Sequence, residues 1–400
     1  MNTEHKLILL SDAEYALRLE RLQQALAPAA DAVLLTDNAN LYWLTGRVFA
    51  GFAYVPASGK PLFGLRRCVH LEGEGAAPER KIEDFAARVA ASMPAPARLA
   101  LEMDCSSYSA VERARLAFAA QWPQMQAVSS AQVMRAVRAV KTDAQLHLMR
   151  LSGVHQEAVY RRIPQLYTEG MTDFELQVEI ERASRLEGCL GQFRVAGTEM
   201  ELFMGNVLTG DNADAPSPYD FAMGGAGMDP SLPVGANGSI IRPHTTVMVD
   251  MNGNYTGYMT DMTRTFCLGD VPEEAHRAHE LSREICRRLA ETGTPGTEAR
   301  AMYDTALRMA REAGFEQYFM GHRQHAGFVG HGLGIDINEA PVLAPRSRDV
   351  LAAGMCIALE PKFVIPGVGA VGIENTYIVR PDGPMECITG AREEMIDLEK

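Results

Sequence analysis

No apolar run in this 400-residue chain approaches the roughly 20 residues that a membrane-spanning helix needs, so a bilayer-embedded protein is not expected. The short LILL of Leu7 to Leu10 meets Asp12 and Glu14 at once. It is too short for the apolar core of a signal sequence, and the expected compartment is the cytoplasm. Paired cysteine spacing is missing as well. The seven cysteines (Cys68, Cys105, Cys189, Cys267, Cys286, Cys356 and Cys387) are scattered and odd in number. That pattern fits free structural thiols in a reducing compartment, not a disulfide framework or a catalytic thiol. Positive charge is scarce: 38 Lys and Arg against 51 Asp and Glu leave a net charge of −13. A nucleic-acid surface needs clustered cations, and the one basic stretch, Val133 to Lys141, reads as a solvated helix flank. Tandem repeats and low-complexity tracts are also lacking.

What is present is a globular composition, 47% hydrophobic and 22% charged, in a chain long enough for two cores. The 21 methionines read as adaptable core filler. Residues 1–141 alternate helix and strand. Asp12 to Leu26 has apolar residues at helical spacing with Asp12 as its expected cap. Asp31 to Asp37 is a short β-rich run, and a hairpin is expected to turn at Ser58–Gly59. A helix around Ile82 to Ser92 and a strand in ARLALEMD follow. The pattern predicts a small three-layer α/β domain. Residues 142–400 open with a long amphipathic helix capped at Thr142 or Asp143, then a second capped at Thr172 or Asp173 and closed by Gly188. Met204 to Gly238 is rich in Gly, Pro, Asn and Asp and reads as a functional loop or lid. Strands, a helical pair (Glu274 to Thr292, Glu298 to Ala313) and further strands complete the chain. The helix–helix–strand–strand order occurs twice, which hints at an internal duplication.

The second domain carries five donors in the order Asp250, Asp261, His331, Glu360, Glu374. They sit in VMVDMNGNYTGYMTDMTRTF, FVGHGLGIDINEAP, IALEPKF and VGIENTYIV, each read as a strand or strand edge. Four carboxylates and one imidazole suit two close-spaced divalent ions, because bridging carboxylates offset the repulsion between the cations. Hard oxygen donors with one His suit Mn, Fe(II), Co or Zn. Asn252–Gly253–Asn254 reads as the turn between the two Asp strands, and Pro366–Gly367 as the turn between the two Glu strands. Asp261 and Glu374 are expected to bridge. Gly330 and Gly332 allow close approach around His331, and Thr263 and Arg264 are expected to orient the carboxylates. Water held by such a pair is acidic enough to yield a hydroxide nucleophile near neutral pH.

DMTRTF, GHGLGID and ALEP…GIENT resemble the motifs of the pita-bread metallopeptidase family, which contains methionine aminopeptidase, prolidase, aminopeptidase P and creatinase. DAVLLTDNANLYWLTG is similar to the start of the creatinase-type N-terminal domain, so the resemblance covers nearly the whole chain. It implies an α+β pita-bread catalytic domain preceded by a smaller three-layer α/β creatinase-type domain, two divalent metal ions (Mn, Co, Fe or Zn), a short-peptide or small-molecule substrate, and a homodimer. Three departures stand out. The stretch VLTGDNADAPSPYD lacks the His that family peptidases carry before the catalytic strands. Asn338 stands where a second His is usual, and Gly372 where prolidase and aminopeptidase P types often have Arg. Asn338 hydrogen-bonds but cannot shuttle protons. Glu360 remains as a general acid, and His325 or His322 can supply a shuttle from a shifted position. The expected activity is Xaa-Pro dipeptide or short-peptide hydrolysis. The alternative is a family member acting on a C–N bond of a small amino-acid derivative, or as a lyase. A non-catalytic binding module fits least, because all five donors survive.

Overall fold

The structure, a computed structural model, describes residues 10–67, 75–195, 204–219 and 223–399. Leu7 to Leu9, Cys68 and residues 220–222 of the Gly- and Pro-rich stretch lie outside these. The chain forms two compact units, Met1–Arg138 and Ala139–Lys400. Among the described residues no helix is long and apolar enough to cross a membrane, and Cys105, Cys189, Cys286, Cys356 and Cys387 are free. Burial raises the Cys356 thiol to about 12 and that of Cys286 well above its usual value, so neither offers a thiolate nucleophile at neutral pH.

In the first unit the strands lie in the order Ala76–Pro78, Leu62–Arg67, Ala50–Pro56, Ala32–Leu35, Arg98–Leu101, Gln126–Ser129. All four residues of Ala32–Leu35 are buried, as expected for a strand covered on both faces. Ala32 and Leu34 join Phe85 and Val89 of the Ile82–Ser92 helix and Phe118 of the Tyr108–Gln121 helix in one apolar cluster. The first helix spans Asp12–Leu26, but its cap is Ser11, whose side chain accepts from the Glu14 amide. Asp12 is instead its first-turn acid, where negative charge meets the positive end of the helix dipole.

The second unit opens with helix Asp143–Tyr160, whose Thr142–Gln145 capping box satisfies two amides reciprocally. Helix Asp173–Glu187 repeats the device with Thr172 and Glu175 and ends at Gly188 with φ 111°, a left-handed position that glycine occupies without strain. These helices bury Val159, Tyr160, Leu176 and Ile180 with Val247, Val249 and Met262 of a sheet ordered Ile396–Asp397, Met259–Leu268, Thr245–Asn254, Gly205–Thr209. Helices Glu273–Thr292 and Ala299–Glu312 pack likewise with Ile357, Leu359, Phe363 and Val371 of the later strands. Those strands form a second sheet, Glu339–Val342, Gly330–Gly332, Cys356–Leu359, Asn375–Ile378, Glu386–Cys387, and a hairpin, Lys362–Ile365 with Gly369–Gly372.

Two expectations are corrected. Asn252–Gly253–Asn254 does not turn the chain; it continues the Thr245–Asn254 strand, and the reversal falls at Tyr255 to Tyr258 with Gly257 at φ 84°. Asn252 and Asn254 both donate to the Gln192 carbonyl, and a Cβ at Gly253 would sit 2.7 Å from the Gln156 amide carbon. Glycine therefore admits the Gln156 side chain there instead of making a bend. The stretch from Met204 to Gly238 is not all loop either. Gly205–Thr209 is a strand paired antiparallel to Thr245–Asn254, with Asn206 opposite Asp250.

Candidate metal centre

Register alone brings four of the five donors to one surface. Asp250 lies opposite Thr263, and Asn252 opposite Asp261. Facing residues of an antiparallel pair share a side, and side chains alternate along each strand, so Asp250 and Asp261 are diagonal neighbours on one face. Thr263 in turn bridges Glu374, each amide donating to the other's carbonyl at 3.3 and 3.1 Å, which sets Glu374 beside them. In the second sheet His331, Ala358 and Thr376 form one row. Glu360, two residues beyond Ala358, projects to the same side. Thr376 ties the sheets together: its hydroxyl accepts from the Asp261 amide at 2.8 Å and donates to the Asp261 carbonyl at 2.9 Å.

The donors form two groups that can each hold an ion. One is Asp261, His331 and Glu374; the other is Asp250, Glu360 and Glu374. Glu374 is common to both groups, and Asp261 falls in the first. His331 Nδ1 lies 3.1 Å from the Gly332 carbonyl. Donating there leaves Nε2 as the lone-pair nitrogen, the arrangement usual for a metal-binding imidazole. Nε2 faces Glu360 Oε1 at 3.3 Å and Asp261 Oδ2 at 4.0 Å. Glu374 Oε1 is buried with no hydrogen-bond partner among the described residues, which is costly unless a cation or proton is held there. The first group therefore fits a divalent ion on its own chemistry.

The second group is different. The Lys362 ammonium lies 2.8 Å from Asp250 Oδ2, 2.9 Å from Glu360 Oε2 and 3.1 Å from Glu374 Oε2, and the residue has no exposed surface. Burial by itself would lower the ammonium pKa, but the charges of Asp250, Glu374 and Glu360 outweigh it and hold Lys362 well above its usual value. Burial, then Glu374 and the other nearby acids, push Asp261 well above the carboxylate range. Burial first and Glu360 next raise Glu374 to about 8. Four carboxylates facing one ammonium carry more negative charge than the site can hold without a further cation or bound protons.

Thr263 orients Glu374 directly, its hydroxyl donating to Oε2 at 2.7 Å. Arg264 acts through the main chain instead. Its guanidinium donates to the carbonyls of Thr263, Glu374, Thr389 and Ala391 and to Asn375 Oδ1, and it reaches no ligand carboxylate. Thr263→Val keeps the shape and removes the bond to Glu374. We expect it to weaken metal affinity by roughly 10–100-fold with little loss of fold, read by isothermal titration of the metal-free protein; unchanged affinity would show that Glu374 needs no such support.

His325 Nδ1 bonds the Phe319 carbonyl at 2.8 Å, and His322 Nδ1 pairs with Asp214 at 2.9 Å. Both are exposed, Asn338 is half-buried, and among the described residues the two ion-holding groups include neither histidine. Two contributors went unread in the sequence. Lys362 follows Glu360 by two residues, the interval that shares a face in extended chain. Asn206, opposite Asp250, has a buried side-chain oxygen with no partner among the described residues.

Residues 147–381 match the model of metallopeptidase family M24, and residues 18–140 match the creatinase/prolidase N-terminal domain. The chain belongs to metallopeptidase family M24. Membership carries the pita-bread and creatinase-type architecture that its motifs imply. It is 25% identical to the Xaa-Pro dipeptidase of Pyrococcus horikoshii over 373 residues, 91% of this chain and 94% of the relative. It is 26% identical to the Xaa-Pro dipeptidase of Lactobacillus delbrueckii over 247 residues, 62% of this chain and 59% of that one. The chain spans about 60% of the length of the first curated relatives that it matches. Among solved structures, an Xaa-Pro dipeptidase from Bacillus anthracis superposes with a TM-score of 0.77 at 24% identity, covering 96% of this chain and 99% of that one. At that identity the likeness speaks for the fold alone.

Proposed function

We propose that this M24 member hydrolyses an amide or related C–N bond in a short peptide or small amino-acid derivative. In this reading Asp261, His331 and Glu374 hold a divalent metal, with Asp250 and Glu360 completing the acidic wall. The observation that carries it is the convergence of all five donors on one surface, with a lone-pair imidazole nitrogen and a partnerless carboxylate oxygen turned inward. A divalent ion bound there supplies Lewis-acid polarisation of a carbonyl and acidifies water. The chain's own part is orientation and proton handling. Thr263 and Lys362 fix Glu374, the Gly332 carbonyl fixes the His331 tautomer, and Glu360 presents Oε1 beside His331 as the acid–base group. Xaa-Pro dipeptides are the first substrates to test, because relatives across the family bear that activity in their names. The homodimer implied by the resemblance belongs to the same proposal.

The alternative, a small non-peptide substrate, rests on a specific observation. Gly372 sits at φ 139°, and a Cβ there would lie 2.8 Å from the Pro361 carbonyl oxygen and 3.0 Å from Ser282 Oγ. The Arg usual at this place in prolidase-type members has no room, so a peptide carboxylate lacks that anchor. We expect the metal-loaded protein to cleave Xaa-Pro dipeptides with kcat/KM below about 10⁵ M⁻¹s⁻¹, in the lower part of the usual enzyme range, and to prefer a smaller amide. Asn338→His should raise dipeptide turnover. Assays with Mn, Co and Zn against dipeptides, longer peptides and small amides decide it. A dipeptide rate well above that figure restores the plain peptidase reading, and no hydrolysis of any amide refutes both.

A further inference from the structure

We propose that Lys362 is a built-in cation of this centre: its ammonium takes the place of one of the two ions that the five donors suggest, and the chain holds a single divalent metal at Asp261, His331 and Glu374. The inference rests on reading the site as a metal-dependent hydrolase's.

An ammonium has three protons and no lone pair. Lys362 gives one to each of Asp250, Glu360 and Glu374, the same three residues that make up the second ion-holding group. An ion bound to those carboxylates would sit about 2.0–2.2 Å from each oxygen, in the volume that Nζ fills. The two cations exclude one another.

The lysine cannot readily step aside. It is wholly buried, and its strand is held on both sides. Lys362 pairs with Gly372 across the hairpin, and its carbonyl accepts from the Met320 amide at 2.8 Å. Swinging the side chain out would strip three carboxylates of their counter-charge inside the protein, the costly way to break a buried ion pair. The first group keeps its own free valences, since Glu374 Oε1 has no partner among the described residues and His331 Nε2 faces Glu360 and Asp261. An ammonium whose protons are all committed offers nothing to a substrate oxygen, so binding of the scissile group falls to the remaining ion position. A narrower, less bidentate site is consistent with a small substrate.

The test is a metal count on the full chain. Metal-free protein is equilibrated with excess Mn²⁺, Co²⁺ or Zn²⁺, dialysed, and measured for ions per chain, with electron paramagnetic resonance of the Mn²⁺ form as a second readout. The expected result is one ion per chain at saturation and the hyperfine pattern of an isolated Mn²⁺. Lys362→Met, which keeps the length and removes the charge, should raise the count to two and produce an exchange-coupled spectrum. Lys362→Gln serves if Lys362→Met does not fold, and the wild-type count is decisive without either. Two ions in the wild type would overturn the inference while leaving the metal-dependent hydrolase reading intact. Two coupled ions absent from a folded Lys362 variant would show that the ammonium is not what excludes the second. No ion at all in the wild type would overturn both.

Discussion

Asp261→Asn should abolish hydrolysis and metal uptake while leaving the metal-free fold at least as stable as the wild type at pH 8. The two halves of that result have one cause. Asp261 is a proposed ligand in the group left open by Lys362, and a neutral amide there would under-compensate the ion. Without metal, Asp261 is a buried acid held well above its usual pKa, first by burial and next by Glu374, so ionising it costs stability. For a carboxylate raised on folding, the native state binds more protons than the unfolded one between the two pKa values, and stability falls as pH rises through that window. Glu374, raised to about 8, adds to the same slope from the unfolded carboxylate range up to about pH 8. Metal should flatten this slope in the wild type and have no effect in Asp261→Asn. Glu374→Gln should likewise lose metal and activity. The checks are elemental analysis, amide hydrolysis, and urea unfolding from pH 5 to pH 8 with and without Mn²⁺. Full metal occupancy in Asp261→Asn would remove Asp261 from the ligand set.

Lys362→Met in the metal-free state should have the opposite sign. Removing the ammonium leaves Asp250, Glu360 and Glu374 facing one another in the interior. Losing one partner of a buried ion pair typically costs about 3–5 kcal/mol, so a loss of that order is expected at pH 8. The loss should shrink toward pH 5, where Glu374 holds its proton, and divalent metal should restore much of it by filling the vacated position. Urea unfolding at the two pH values measures it. A cost below about 1 kcal/mol at pH 8 would mean that the three carboxylates are neutral or solvated without the lysine.

The candidate donors were legible as a set because each stands in a motif whose order survives in linear sequence, and the structure brings them into two groups that could hold an ion. The capping boxes at Thr142 and Thr172 were legible because capping is a contact over three residues. The hairpin turn was misplaced because Asn-Gly is a strong local turn signal, here overridden by Gln156 and Gln192, which lie far away in sequence. The Gly205–Thr209 strand was hidden for a similar reason, since its partner is forty residues onward and its flanks are turn-rich. Lys362 illustrates the limit most clearly. Its two-residue interval from Glu360 was visible, but a lysine beside an acid ordinarily extends to water. Only the pairing of Lys362 with Gly372, with Asp250 and Glu374 brought alongside, shows that there is no water to reach.

The most direct measurement is an anomalous difference map from crystals grown with Mn²⁺ or Zn²⁺. The account predicts one peak per chain, bounded by Asp261, His331 Nε2 and Glu374, with the Lys362 ammonium still bonded to Asp250 and Glu360. Two peaks with Lys362 displaced, or a single peak between Asp250 and Glu360 in the place of the ammonium, would contradict it.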